Sequence, residues 1–325
     1  MAGLLKTSVI ILIAAIAMYF ADQYFSGGVC KSEARLDGKT VIVTGGNTGI
    51  GKETAIDLAA RGAKVIIACR SRERGEKAVL EIKRESGSEE VYLQMLDLAS
   101  FKSVRAFAKR ILETESRLDV LINNAGIYFA GSGGLQRTED GYERHFQVNH
   151  LGHFLLTELL LDLLKKSAPS RIINVSSLVY MWASPKDLDN LHNETSYIRS
   201  TAYEISKLAN IVHAKELSRR YSAKNVTAYS LHPGVIATEI TRYFFYDHPY
   251  LKKLWEIIKP LRMIFFKTSK EGAQTTICLA VSEGIEKYSG SYFADCEITP
   301  LSPIADDKKF TDKLWKYSME ATKLE

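Results

Sequence analysis

Residues 40–51 read TVIVTGGNTGIG. The first five are all β-branched, which suits a strand, and a helix pattern follows the glycines. A strand that runs through a glycine-rich loop into a helix is the setting a dinucleotide needs. Gly45 permits the tight turn, Gly49 lets the backbone approach a pyrophosphate, and Gly51 lets the helix pack closely. The helix N-terminus then offers unpaired N–H groups to the anion. Asn47, Thr48 and Ile50 fill the rest of the loop. Taken alone, such a loop is also an ordinary strand-to-helix turn, so its neighbours decide.

Outward from this loop, short apolar runs alternate with helix patterns. Strands are expected at 40–44, 64–68, 91–96, 120–122, 171–175, 226–230 and 291–294, with helices starting near Gly49, Glu73, Phe101, Glu139, Ala202 and Lys270. Strands alternating with helices form βαβ units around a parallel sheet. Continuous apolar strands mean a sheet covered on both faces. The expected fold class is α/β, a Rossmann-type doubly wound parallel sheet. No repeat or linker interrupts the chain after Arg35, so residues 37–325 read as one domain.

The second strand ends at Cys69, and Arg70 stands 19 residues after Gly51. An acidic residue near this place would bond the ribose 2′-hydroxyl of NAD, whereas a basic one accommodates the 2′-phosphate of NADP. Arg70, with Arg72 and Arg74 beyond it, points to NADP(H). The plain alternative is a solvated basic turn.

With 325 residues, 46% hydrophobic and 25% charged, the chain can bury a sizeable core. Disorder and a disulfide-rich scaffold are excluded as the main state. A net charge of +5 without any block of five like charges argues against a nucleic-acid partner. Cys30, Cys69, Cys278 and Cys296 form no CxxC pair and no zinc-spaced cluster with histidine, so no metal is expected. Their scatter fits a reducing compartment.

Residues 7–21, TSVIILIAAIAMYFA, carry no charge. With Leu4, Leu5 and the stem of Lys6 the run reaches about 18 residues, enough for a bilayer core of about 30 Å. Tyr19, Phe20, Tyr24 and Phe25 sit where an aromatic belt would. Residues 1–36 therefore read as a membrane anchor with a short linker. The rival is a cleaved signal peptide, since Lys6 before a short apolar core fits one too. Lys31, Arg35 and Lys39 after the run favour a cytosolic catalytic domain. Sequons at Asn174, Asn193 and Asn225 would matter only in a lumen, and Asn174 falls within a strand pattern.

Tyr203 and Lys207, in YEISK, lie four residues apart on one helix face. A nearby ammonium favours the phenolate, so the phenol can exchange a proton nearer neutrality. Alone, such a pair is an ordinary surface feature of a helix. The strand at 171–175, however, ends in Ser176 and Ser177, at the carboxyl edge where open α/β sheets bind ligands. The strand at 120–122 ends in NNAG (123–126) at the same edge. Asn149, in QVNHLGHF, is a helix amide that packing explains poorly.

TGGNTGIG, NNAG, the serines after NV, YEISK and HPGVIAT (232–238) together resemble the short-chain dehydrogenase/reductases over nearly all of residues 39–294. CRSRERGEKA, NHLGHFLLT, SRIINVSS, SKLANI and EGAQT, with the apolar N-terminal run, are similar to the membrane-anchored retinol dehydrogenase branch. The resemblance implies a sheet of about seven strands, NADP(H), and retinal/retinol or similar lipophilic aldehyde chemistry at the endoplasmic reticulum. It makes Tyr203 the proton donor in reduction and the base in oxidation. Lys207 lowers the phenol pKa and holds the nicotinamide ribose. Ser177, preferred to Ser176, orients the carbonyl, and Asn149 holds a water in a proton relay. Asp97, with Leu98 beside it, looks like the adenine contact, while Asn123, Ala125 and Gly126 border the adenine-side ribose. Pro233, Gly234, Ile236 and Thr238 look like the nicotinamide and phosphate loop. The resemblance also offers a homodimer through the helices near 101–115 and 139–166.

Two stretches depart from compact family members. Ser177 and Tyr203 are 26 residues apart, and the amphipathic, aromatic segment 242–267 reads as a substrate cap that could meet a membrane. Substrate choice therefore stays open between retinoids and steroids or other lipid carbonyls. A catalytically idle NADP-binding membrane scaffold is the alternative of another class. The presence of Ser177, Tyr203 and Lys207 together argues against it.

Overall fold

A computed structural model describes residues 26–128, 134–236 and 266–324. Its strands are β1 (Thr40–Thr44), β2 (Lys64–Cys69), β3 (Val91–Met95), β4 (Val120–Asn123), β5 (Ser170–Val175), β6 (Val226–Leu231), β7 (Tyr292–Ala294) and β8 (Glu297–Ile298). The longer helices are α1 (Gly49–Ala60), α2 (Arg72–Ser86), α3 (Phe101–Thr114), α4 (Gly152–Lys166), α5 (Arg199–Tyr221), α6 (Ser269–Val281) and α7 (Lys308–Thr322). The strands form one sheet in the order β3-β2-β1-β4-β5-β6-β7-β8. All neighbours are parallel except β8, which runs antiparallel to β7. Strand order reverses between β1 and β4, so a crevice opens there at the carboxyl edge.

Strand alternation sends neighbouring residues to opposite faces. Val41, Val43, Val65 and Ile67 pack with Ala55 and Leu58 of α1 and Ala273 and Ile277 of α6. Ile42, Ile66, Leu121 and Ile172 pack on the other side with Val104, Phe107 and Ile111 of α3, Leu155 to Leu164 of α4, and Ala214 and Leu217 of α5. This double burial is why the strands are apolar without a polar face. A third cluster joins the outer face of α5 to Tyr180, Tyr292 and, from α7, Phe310 and Leu314.

Three features differ from the sequence expectation. The sheet gains the two-residue β8, and α7 closes the chain. No helix starts near Glu139: Asp140–Gly141 makes a turn with Gly141 at φ +88°, and helix begins only at Arg144, capped by the Glu143 carboxylate. A π-turn, Gln147–Leu151, then leads into α4.

Residues 26–36, expected as a linker, pack along the domain. Cys30 N donates to Gln274 Oε1 (3.0 Å), Leu36 N to Arg61 O (2.8 Å), and Arg61 Nη1 to the Ser32 and Ala34 carbonyls (2.8 and 3.0 Å). Among the described residues no helix is long and apolar enough to cross a membrane. The apolar run 7–21 lies outside them, as do Thr238 and nearly all of the cap 242–267.

Candidate active site

Gly45 adopts φ +66°, and a Cβ there would sit 3.0 Å from Ala125 Cα, so the glycine loop and the NNAG turn touch. At Gly51 a Cβ would lie 2.5 Å from both Asn124 Nδ2 and Gly45 O. Gly49 has φ +57°, and a Cβ there would meet only Ser269 Oγ, at 4.0 Å. Thr48 is the N-cap residue of α1, yet its side chain makes no cap bond. The first N–H groups of α1 are thus left for an external acceptor. Asn47 is half-buried and Ile50 packs toward Gly272 of α6.

Thr44 fastens the crevice. Its Oγ1 accepts from Asn124 N (2.9 Å) and Ala125 N (3.0 Å) and meets His153 Nε2 at 2.9 Å. His153 Nδ1 faces Asn149 O at 3.0 Å, so that nitrogen carries the proton and Nε2 accepts from Thr44. Burial holds the His153 pKa down at about 4, which keeps the ring neutral. Neither Thr44 nor His153 stood out in the sequence reading. A strand threonine followed by a helix histidine carries no motif.

Asn149 lies in the π-turn, fully buried. Its Oδ1 accepts from Ile127 N (2.8 Å), and its Nδ2 donates to Ser206 Oγ (3.0 Å) and Ile127 O (3.2 Å). The amide therefore ties the turn after β4 to α5. Asn123 turns inward instead of toward the crevice: its Nδ2 donates to Asn174 Oδ1 (2.8 Å) and Thr157 Oγ1 (3.0 Å). Asn174 is itself 1% exposed, inside β5.

The two serines after β5 have separate fates. Ser176 is buried and donates to Lys207 O at 2.7 Å. Ser177 is half-buried, and its side chain acts to lower the Tyr203 pKa against the effect of burial. Tyr203 packs edge-on against Tyr128, with ring centroids 5.1 Å apart. Lys207 Nζ donates to Val175 O (3.3 Å) and lies 5.6 Å from the Tyr203 ring centre. A Cβ on Gly126 would come within 3.2 Å of Lys207 Nζ and 3.6 Å of Asn149 Oδ1. Gly126, Asn149, Ser177, Tyr203 and Lys207 thus converge on the mouth of the crevice.

Burial pushes Tyr203 up to about 12, opposed by the bond to Ser177. Burial also lowers Lys207 to about 8. Burial costs each charged form its hydration, so both groups are shifted toward their neutral forms.

Arg70 is exposed just beyond β2, and it makes no ion pair among the described residues. Asp97 follows β3, and its Oδ1 accepts from Ala99 N (2.9 Å). Leu98 is buried against Gly152. Beyond β6, Gly234 has φ +84°, Lys267 N donates to Val235 O (2.9 Å), and Ile236 pairs with Lys267. Pro233 to Ile236 thereby reach Gly272 beside the α1 loop.

The short chain dehydrogenase family model matches residues 39–248. Retinol dehydrogenase 12 of Homo sapiens is 46% identical over 92% of this chain and 90% of its own length. Retinol dehydrogenase 11 of Mus musculus is 47% identical over the same shares. Among solved structures, the Pseudomonas aeruginosa RhlG/NADP active-site complex superposes with TM-score 0.62 at 26% identity, covering 80% of this chain and 95% of that one.

Proposed function

The chain is a short-chain dehydrogenase, an oxidoreductase that works with a nicotinamide dinucleotide, and from that premise we propose that it uses NADP(H) to interconvert a lipophilic aldehyde and its alcohol, retinal and retinol first among them. The observation that carries the substrate class is a set of exposed apolar side chains on the segments that follow Ser177, precede α5 and follow β6. Leu178, Met181 and Trp182 follow Ser177 directly and are 44%, 46% and 63% exposed. Ile198, just before α5, and Val235, in the loop after β6, are 61% and 49% exposed. Exposed apolar side chains close in sequence to a polar centre suit an apolar ligand. Likeness to retinol dehydrogenases 11 and 12 supports a retinoid within that class.

The residues fit the cofactor. The glycine loop leaves space where side chains would intrude, and the uncapped α1 N-terminus would take the pyrophosphate. Arg70 would meet a 2′-phosphate. Asp97 and Leu98 would border the adenine, Ala125 and Gly126 a ribose, and Pro233, Gly234 and Ile236 the nicotinamide side. Asn123 would contribute only its backbone. Bound NADPH supplies the hydride, and NADP⁺ accepts it in reverse.

The chain's own groups manage the carbonyl oxygen. Ser177 donates to it and Tyr203 delivers the proton. A phenol whose pKa burial raises stays protonated at neutral pH, so it has the proton that reduction needs. Lys207 and Asn149 hold the ribose side and the π-turn in place. The apolar run 7–21 would anchor the enzyme with its domain in the cytosol.

The test is retinol formation from all-trans-retinaldehyde by membranes carrying the full chain, with NADPH and NADH compared. Turnover with NADPH should exceed that with NADH, and Tyr203→Phe should lose about 10²–10⁴-fold while still binding NADPH. Equal turnover with NADH would reject the role of Arg70. Retained turnover in the variant would reject Tyr203 as proton donor.

A further inference from the structure

Glu143 is fully buried, and no step proposed above uses it. It is the N-cap residue of the turn that begins at Arg144. Serine, threonine, aspartate and asparagine are the side chains favoured at such a position, not glutamate. The cap bond, Phe146 N to Oε2 at 2.6 Å, occupies one oxygen. The other reaches further: Oε1 accepts from His145 Nδ1 at 2.8 Å and from Tyr197 OH at 2.9 Å. Burial would raise the Glu143 pKa, but the bonds from His145 and Phe146 hold it below the ordinary glutamate range. A carboxylate taken out of water persists only where it is paired and hydrogen-bonded.

Two paths run from this carboxylate. The first leads to the proton donor. The His145 nitrogen that faces Glu143 carries the proton, which fixes the orientation of the ring. The His145 and Tyr128 ring centroids lie 5.8 Å apart, and Tyr128 packs edge-on against Tyr203 at 5.1 Å. All three rings are buried, so none has room to swing. The second path leads to the segment 178–198, between Ser177 and α5. Tyr197 fastens the end of that segment to Glu143. Arg137, in the same turn as Glu143, fastens its middle: Nη2 donates to His192 O at 3.2 Å, and His192 Nε2 meets Tyr317 OH of α7 at 2.9 Å.

We infer that Glu143 is a positioning residue for the proton transfer: it holds the Tyr203 phenol at its angle through His145 and Tyr128, and it holds the segment that carries Leu178, Met181 and Trp182 through Tyr197. The inference rests on Tyr203 as the proton donor. Proton delivery depends on where the hydroxyl points, so a tilted ring slows the chemical step even in an intact fold. Glu143 has no exposed surface and acts only through these neighbours.

The test uses the full chain in membranes, with all-trans-retinaldehyde and NADPH. Glu143→Asp keeps the charge and a favoured N-cap but withdraws the carboxylate by one methylene from His145 and Tyr197. Its kcat should fall about tenfold or more, while NADPH affinity stays within a factor of about two. Tyr197→Phe cuts only the second path and should raise the KM for retinaldehyde more than it lowers kcat. Tyr128→Leu removes the ring between His145 and Tyr203 and leaves the Glu143 turn untouched. It should lower kcat at unchanged NADPH affinity, and it decides the first path if Glu143→Asp does not fold. Parent kcat in Glu143→Asp would reduce Glu143 to a helix cap and overturn the inference. An equal loss of kcat and NADPH affinity, which a general loosening of the fold would produce, would overturn it too, as would parent kcat in Tyr128→Leu. Tyr203→Phe is measured alongside. Retained turnover there would overturn the proton-donor reading and this inference with it, whereas lost turnover there beside an unaffected Glu143→Asp would overturn this inference alone.

Discussion

Neighbouring serines divide two tasks that one dipeptide cannot reveal. Ser176 closes a buried bond to the Lys207 carbonyl, whereas Ser177 faces Tyr203. Ser176→Ala should cost about 1–3 kcal/mol of stability and leave turnover per folded molecule nearly intact. Ser177→Ala should keep the melting temperature and the NADPH affinity while kcat falls about 10²–10³-fold. Paired thermal melts and steady-state rates read both, and the reverse pattern would exchange the two roles. Lys207 gives a pH signature. Its lowered pKa means that the ammonium is present below about 8 and lost as pH rises through it. NADPH binding, followed by cofactor fluorescence between neutral pH and about pH 9.5, should weaken on that alkaline limb. A flat profile would remove the ammonium from cofactor binding. The sequence showed which residues converge, because motif and strand edge placed them. It did not show how deeply Tyr203 and Lys207 are buried, since burial depends on the whole packed site.

At the scale of the element, α1 and its loop test the space reserved for a cofactor. A Cβ at Gly51 would meet Gly45 O and Asn124 Nδ2 at 2.5 Å, and neither atom belongs to a flexible chain end; Asn124 Nδ2 is held by Thr44 O at 2.8 Å. Gly51→Ala must therefore push α1 off the loop, at about 1–3 kcal/mol. NADPH affinity should fall about tenfold or more with it, since 1.4 kcal/mol is a factor of ten. Thermal melts and a binding isotherm would measure both; an unchanged isotherm would deny that the helix N-terminus is the anion site. Elements with a strong local signal were legible in the sequence: β1 and β2 are β-branched or apolar runs, and the glycine loop marks its helix. The rest depends on distant partners. The two residues of β8 pair only because β7 is beside them, and α7 needs the outer face of α5 to bury Phe310 and Leu314. The helix expected near Glu139 fails because Asp140 is recruited elsewhere, its Oδ2 accepting from Phe101 N at 2.8 Å and from Gln147 Nε2 at 2.6 Å.

At the carboxyl edge of the sheet the polar chemistry is followed along the chain by exposed apolar side chains. Ser177 is followed at once by Leu178, Met181 and Trp182, while the strap at Gly27 and Gly28 reaches Asp295 and Lys267 beside the loop after β6. On the proposed reading, an apolar N-terminal anchor would tether the domain close to the crevice, where a lipophilic substrate would enter. Exposed apolar residues contribute little to folding, so replacing them separates recognition from stability. Met181→Ser with Trp182→Ser should leave the melting temperature and NADPH affinity unchanged. The KM for retinaldehyde should rise by at least tenfold, because burying one large apolar side chain is worth about 1.5–3 kcal/mol. The KM for a short aliphatic aldehyde, too small to reach these side chains, should stay within a factor of about two of the parent, a shift below about 0.5 kcal/mol. An equal rise for both substrates would mean that the pair shapes the catalytic centre itself, and no rise for either would move the lipophilic surface to another part of the chain.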